Sequence, residues 1–346
     1  MKACVLHAIG DLKYEEIAKP IRKPGEVLLQ INACGICGSD LPRVFEKGTY
    51  HFPTVPGHEF AGTILEADNQ SLVGKRATVF PLLPCGKCVS CEIGEYAQCS
   101  DYNYFGSRCD GGFAEFICVP EWNLVYVPDG VSSEEAAMCE PAAVAVHTLS
   151  RAGVTIGDTV AIFGTGSIGL LLAQWSKAWG AKQVILVDID EKKLDFARSV
   201  GWEHALNSLK CDPAEEIMKL TNSRGADLAI EGAGVSQTLE QTIKSVKPFG
   251  KAVLMGNPAG DMHISQKVYW EILRRQLALF GTWNSSYNTV KNDWSLTLEA
   301  MAGGWLNVKP LISHRYSLSQ CGEAFEMMRS KSEFYNKVMF KIGQEE

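Results

Sequence analysis

The sequence predicts an α/β protein of two parts, a β-rich unit joined to a doubly wound parallel sheet. Three observations predict it. The chain has 346 residues, about twice the usual length of one domain. Hydrophobic residues make up 46% and charged residues 21%, a globular balance that excludes disorder and coiled coil as the main class. The patterning also changes near residue 150, from short segments broken by Gly and Pro to strands alternating with helices.

In the first part, 27–32 reads as a strand and 78–80 as another, and Pro81, Pro84, Gly86 and Gly94 mark a long irregular loop. This part is expected to be antiparallel or barrel-like. In the second, the apolar, β-branched run 159–163 is a strand and 167–179 has helical apolar spacing. A second buried strand at 183–187 and a second helix at 191–200 complete a β-α-β unit. Strands follow at 227–230 and 251–255, each beside a helical pattern. The tail 318–329 is amphipathic and helical, and 337–342 is a final strand.

Lys plus Arg number 33 and Asp plus Glu 40, a formal charge of −7. A general nucleic-acid or anionic-membrane footprint is therefore not expected, although a local basic pocket is compatible with it. No run of 18 apolar residues exists, so no membrane span is expected. Residues 1–14 turn polar at 10–13, without an apolar signal core, so no signal peptide is read there. Twelve cysteines in this length fall short of a disulfide scaffold. A cytoplasmic chain is expected, with cysteines as thiols or metal ligands.

Cys85, Cys88, Cys91 and Cys99 follow C-x2-C-x2-C-x7-C, in a lobe at about 84–100. Four soft thiolates suit one tetrahedral zinc ion with arms of about 2.3 Å, and with no open position the site is structural. Disulfides, an iron–sulfur cluster and chance clustering are the alternatives. Gly164-Thr165-Gly166-Ser167-Ile168-Gly169 is G-x-G-x-x-G, following a strand and opening a helix. Its backbone suits a dinucleotide pyrophosphate at the helix N-terminus. Asp188 ends the next strand, where its carboxylate accepts from ribose hydroxyls of NAD and repels the 2′-phosphate of NADP. Lys193, five residues on, is either beside the adenosine ribose or an exposed helix lysine. Met255 and Gly256 complete the expected cofactor set.

Cys37 follows a strand, His58-Glu59 follows Pro56-Gly57, and Glu140 precedes Pro141. One thiolate, one imidazole and one or two carboxylates are what an open catalytic zinc site needs. Spacing alone leaves this reading beside a plainer one, in which Cys37 is a buried small hydrophobe and His58 a structural group.

The motifs GICGSD, PGHEFAG, the four-cysteine lobe and GTGSIG with Asp188 resemble the zinc-containing medium-chain alcohol and polyol dehydrogenases, in the same order over nearly the whole chain. The resemblance implies a GroES-like β-rich catalytic domain at 1–148, a Rossmann NAD-binding domain at 149–285, and a return of 286–346 to the catalytic domain. It implies NAD and two zinc ions per chain, the catalytic one at Cys37, His58 and either Glu59 or Glu140. Ser39 is placed to relay the alcohol proton, against a turn-capping alternative. Asp40 is placed to orient the ligating histidine, against a helix N-cap alternative. The stretch 139–147 is similar to the EP-x-x-V-x-x-H segment of sorbitol dehydrogenases. CGSDLPR, LLPC, GSR-x-DGGFAE and G-x-W resemble the galactitol-1-phosphate dehydrogenases.

Where sorbitol dehydrogenases carry an Arg-Tyr pair on the polyol, this chain has Asn284 and Ser285. The expected reaction is therefore oxidation of a sugar-alcohol phosphate, galactitol 1-phosphate to tagatose 6-phosphate. An unphosphorylated polyol or vicinal diol is the alternative. Arg43 is the expected phosphate holder, with Arg108 assisting and Lys47 weaker, because a guanidinium fork fits phosphate. Trp283 and Asn284 join the substrate set. A non-catalytic nucleotide binder and a nucleic-acid-binding zinc protein are the readings from other classes. The family also implies a homodimer or homotetramer, with 250–255 and the segment after Gln276 as the edge that pairs. His147, Cys4, Cys34, Cys109, Cys118, Cys139, Cys211 and Cys321 are read as packing residues.

Overall fold

The computed structural model describes residues 1–258 and 260–343. Two compact units are present: residues 1–141 with the chain from 286 onward, and residues 142–285.

The first unit is built on a seven-stranded sheet in the order Ile312–Tyr316, Lys337–Lys341, Glu26–Ile36, Glu59–Glu66, Arg76–Val79, Leu124–Tyr126, with Phe116–Pro120 paired onto Glu26–Ile36. Its pairings are antiparallel except the one between Ile312–Tyr316 and Lys337–Lys341. The strand expected at 27–32 runs on to Ile36, because Ala33, Cys34 and Gly35 keep pairing with Lys341, Phe340 and Met339 on one side and with Ala61, Phe60 and Glu59 on the other. That extension delivers Cys37 directly off the strand end. Register then pairs Gly35 with Glu59. A Cβ at Gly35 would come 2.1 Å from Glu59 Oε2, so only glycine lets this carboxylate lie against the strand. The strand expected at 78–80 begins at Arg76 and ends at Val79; Phe80 instead donates to the Asn123 carbonyl. The expected tail helix is a 3-10 turn, Leu318–Gln320, followed by the α-helix Cys321–Ser330. Phe325 and Phe340 of this tail meet Phe113 edge-on in the buried core.

The second unit is a six-stranded parallel sheet in the order Ala205–Asn207, Gln183–Asp188, Thr159–Phe163, Ala226–Glu231, Val246–Leu254, Ala278–Gly281. Thr159–Phe163 is buried at every position, as a strand covered on both faces must be. Strand order reverses beside it, so the C-terminal end of Thr159–Phe163 lies at the topological switch point, where open α/β sheets bind ligands. The expected edge at 250–255 is corrected here. Those residues belong to Val246–Leu254, which pairs on one side with Ala226–Glu231 and on the other with Ala278–Gly281. Among the described strands, only Ala278–Gly281 has an open edge on that side. Among the described residues, no helix is long and apolar enough to cross a membrane.

Candidate metal and cofactor sites

The four lobe cysteines converge. Sulfur–sulfur distances are 3.5 Å for Cys88–Cys91, 3.8 Å for Cys88–Cys99 and 3.9 Å for Cys85–Cys91. A tetrahedron with arms of about 2.3 Å has edges of about 3.8 Å, so the cage fits zinc. All four are free thiols. Backbone N–H groups of Ser100 and Cys91 favour the Cys88 thiolate and bring its pKa down to about 6.

The second cluster joins three segments. Cys37 leaves the strand Glu26–Ile36, and His58 and Glu59 enter the strand paired with it. Their donor atoms lie within 4.8 Å of one another. Behind them sits Asp40, fully buried. Its Oδ2 accepts from the Cys37 N–H at 2.9 Å, and its Oδ1 accepts from Arg43 Nη1 at 3.0 Å and lies 3.5 Å from His58 Nδ1. Burial pushes the Asp40 carboxyl up, but His58, Arg43 and the Cys37 N–H hold it below the usual carboxylate range. Burial pushes His58 down, and Asp40 then lifts it well above an ordinary imidazole. Asp40 is the first residue of the turn Asp40–Pro42 rather than its N-cap. Ser39 holds the cap position but makes no capping bond with its side chain. The Ser39 Oγ instead accepts from Arg43 Nη1 at 2.9 Å.

Glu140 lies in the first turn of the helix Cys139–Ala152, 7% exposed. Its Oε1 accepts from the Tyr104 hydroxyl at 3.2 Å, and burial raises its pKa to about 6. It stands outside the group of three. Glu59, by contrast, is inside that group, with both oxygens 2.6 and 2.7 Å from the buried Lys337 Nζ. Lys337 and Tyr104 were not singled out in the sequence. Lys337 offered only a charge at the head of an apolar strand. Tyr104, whose ring centroid is 5.7 Å from that of His58, offered no signal.

The other expected residues divide between the two units. Arg43 turns back onto Ser39 and Asp40. The Arg108 guanidinium carbon lies 4.2 Å from the Tyr50 ring centroid and 4.4 Å from that of Tyr102. Lys47 is exposed. In the second unit, Gly164 follows the central strand at φ +105°, a conformation open to glycine. A Cβ at Gly166 would meet nothing within 4 Å, so the loop keeps an open cradle where a pyrophosphate fits. Ser167, Ile168 and Gly169 form the first turn of the helix Ser167–Ala178. Asp188 accepts from the Thr165 N–H at 2.7 Å and the Ile189 N–H at 2.8 Å, and Lys193 Nζ lies 3.9 Å from it. Met255 and Gly256 follow the strand Val246–Leu254, and both N–H groups donate to the Glu231 carbonyl. Trp283, 57% exposed, and Asn284, at φ +57°, follow the edge strand Ala278–Gly281.

A two-unit chain with a GroES-like sheet, a four-cysteine cage, a Cys-His-Glu cluster and a nucleotide loop defines a class of zinc oxidoreductase. The alcohol dehydrogenase GroES-like domain matches residues 23–129, and the zinc-binding dehydrogenase domain matches 167–302. The chain belongs to the zinc-binding medium-chain alcohol dehydrogenase family, as a zinc-dependent polyol or alcohol dehydrogenase. It is 35% identical to the galactitol 1-phosphate 5-dehydrogenase of Escherichia coli (strain K12), over 94% of this chain and 95% of that one. The crystal structure of galactitol-1-phosphate dehydrogenase from Escherichia coli superposes with a TM-score of 0.92 at 34% identity, over 99% and 100% of the two chains. Sorbitol dehydrogenase of Bacillus subtilis (strain 168) is 34% identical, over 94% and 93%. An alcohol dehydrogenase from Escherichia coli CFT073, solved with NADH, superposes with a TM-score of 0.89 at 27% identity, over 99% of each chain.

Proposed function

We propose that the chain oxidises a secondary alcohol of a sugar-alcohol phosphate, galactitol 1-phosphate to tagatose 6-phosphate, with NAD as acceptor. The observation that carries this reading is the Cys37-His58-Glu59 cluster backed by Asp40, in a chain similar over nearly its whole length to a galactitol 1-phosphate dehydrogenase. Cys37, His58 and a carboxylate would hold a zinc ion, which would supply Lewis acidity toward an alcohol oxygen, and bound NAD would supply the hydride acceptor.

The chain's own groups do the rest. Asp40 faces His58 Nδ1 and so leaves Nε2 as the ligating nitrogen. Ser39 accepts from Arg43 and keeps its own proton free to exchange with a substrate hydroxyl. Glu59 is fixed by Lys337 as the third donor. Glu140, poised near about 6, takes and returns a proton close to neutral pH. Gly164 to Gly169 would seat the pyrophosphate of NAD, Asp188 would select its ribose, and Met255 and Gly256 would complete the cofactor set. In the first unit Arg108 is the substrate-side cation, with Arg43 bracing Ser39 and Asp40; Trp283 and Asn284 are the candidates that the second unit carries.

The second reading, a free polyol or vicinal diol, is favoured by the similarity to sorbitol dehydrogenase. NADH production on phosphorylated and free hexitols, side by side, tests the two. Highest kcat/KM on galactitol 1-phosphate supports the first; higher kcat/KM on sorbitol or L-iditol replaces it with the second. The assembly proposed is a homodimer or homotetramer joined through the open edge of Ala278–Gly281. A monomer in light scattering at micromolar concentration overturns it.

A further inference from the structure

The two arginines in the first unit differ in one respect that bears on the substrate. Arg43 has its charge answered: Nη1 donates to Asp40 Oδ1, a fully buried carboxylate, and to Ser39 Oγ. Arg108 has no carboxylate partner among the described residues, in a chain where acids outnumber bases. Its guanidinium is nonetheless fixed. Its guanidinium carbon lies 4.2 Å from the Tyr50 ring centroid and 4.4 Å from that of Tyr102. Nη1 donates to the Tyr102 carbonyl at 3.0 Å and Nη2 donates to the Tyr50 hydroxyl at 3.2 Å. The Tyr50 N–H donates to the Ser107 carbonyl at 3.2 Å, which ties the two loops together. These contacts leave Nε–H and one hydrogen on each terminal nitrogen without an acceptor among the described residues.

A guanidinium set against two rings and tied by two hydrogen bonds still has free N–H donors along its edge. That edge offers parallel N–H donors, which match two oxygens of a phosphate, and the stack removes the rotamer freedom such a contact would otherwise cost. A cation–π stack leaves the charge in place. Arg108 also shares a backbone turn with Tyr104, which contacts the metal cluster. Arg108 N–H donates to the Tyr104 carbonyl at 2.9 Å, one turn from the ring that faces His58 and the hydroxyl that binds Glu140.

We propose that Arg108, held against the rings of Tyr50 and Tyr102, is the subsite for a phosphate monoester on the substrate, and that Arg43 is a positioning residue for Ser39 and Asp40. This assignment rests on the reading that the substrate is phosphorylated.

The test uses the zinc-loaded enzyme with galactitol 1-phosphate and galactitol, and inorganic phosphate as a probe of the subsite. The readouts are the ratio of kcat/KM between the two substrates and the rise in melting temperature given by phosphate. In the unmodified enzyme the ratio should exceed tenfold, and phosphate should both raise the melting temperature and compete with the phosphorylated substrate. Arg108→Gln should lower the ratio at least tenfold and abolish the phosphate shift. Arg108→Lys, which keeps the charge without the fork, should fall between. Tyr50→Phe, which removes one brace and keeps the ring, should lower the ratio by a few-fold and guards against a folding defect in the arginine variants. If Arg108→Gln keeps the ratio and the phosphate shift, the assignment is wrong while the phosphorylated-substrate reading stands. If the unmodified enzyme shows neither a preference nor a phosphate effect, the substrate reading itself fails and takes the subsite with it.

Discussion

Lys337 is the residue whose removal the structure lets one price most directly. The residue is 4% exposed, and its ammonium sits 2.6 and 2.7 Å from the two oxygens of Glu59, itself 1% exposed. Burial pulls the Lys337 pKa down, but the Glu59 and Cys37 charges carry it above its ordinary value, so the buried amine stays an ammonium. Lys337→Met removes the cation and keeps most of the volume, stranding a carboxylate beside Cys37. Breaking a buried pair from one side costs about 3–5 kcal/mol, which is roughly 5–15 °C in melting temperature. Replacing Glu59 as well, in Lys337→Met/Glu59→Gln, leaves a neutral amide and should recover about half of that loss or more. The loss should be larger in chelated protein than in zinc-loaded protein, because a metal at the cluster is the other positive charge available to Glu59. Calorimetric melts of both forms, with zinc counted per chain, read all three effects. A cost below about 1 kcal/mol for Lys337→Met in chelated protein, or no recovery in the double variant, would refute the reasoning.

Three further outcomes are expected. In the chelated enzyme His58 is raised above 6.5 and Glu140 is raised from 4.5 to about 6, so both hold protons more tightly folded than unfolded. Their stability is present below the unfolded values and is lost as pH rises through the folded ones, with Glu140 contributing about 2 kcal/mol. Zinc needs His58 neutral, so the melting-temperature gap between zinc-loaded and chelated protein should widen from pH 5.5 to 8, and a constant gap would sink the assignment. Asp188→Ala should narrow the preference for NAD over NADP by about tenfold; equal efficiency with both cofactors in the unmodified enzyme would overturn the role of Asp188. Cys88→Ser should lower the zinc content from two ions per chain to one and reduce the melting temperature, and finding one ion or none in unmodified, chelator-free protein contradicts the two-site reading.

What the sequence made legible follows the range of the interactions concerned. Thr159–Phe163 is read to the residue because a strand buried on both faces is a continuous apolar run. The cysteine cage is legible because all its donors fall within one short loop. Arg43 shows a local rule left unused: Asp40 and Ser39 are three and four residues before it on a helical turn, the spacing at which side chains meet. Lys337 was out of reach by any local rule, since its partner is 278 residues away. Only the antiparallel register that pairs Val338 with Ile36, and Gly35 with Glu59, brings the two together. The misplaced edge has the same origin. Val246–Leu254 and Ala278–Gly281 both read as strands, and strand order along a sheet is a long-range property.

Charge balance around the cluster separates the roles of its carboxylates. Asp40 is answered by His58 and Arg43, and Glu59 by Lys337. Glu140 has a neutral hydroxyl, that of Tyr104, and no cation within hydrogen-bond reach among the described residues. A carboxylate whose oxygens are both held by a cation is fixed in place and makes a steady donor. One held only by a phenol, in a buried place, changes charge near neutrality and can carry a proton. The variants should therefore part company. Glu140→Gln should remove the acidic limb near pH 6 from the kcat/KM profile while leaving two zinc ions per chain. Glu59→Gln should lower the zinc content and leave the limb in whatever enzyme remains loaded. If Glu140→Gln loses zinc and Glu59→Gln does not, Glu140 is the third ligand, and the proton-carrying role passes from it to Ser39.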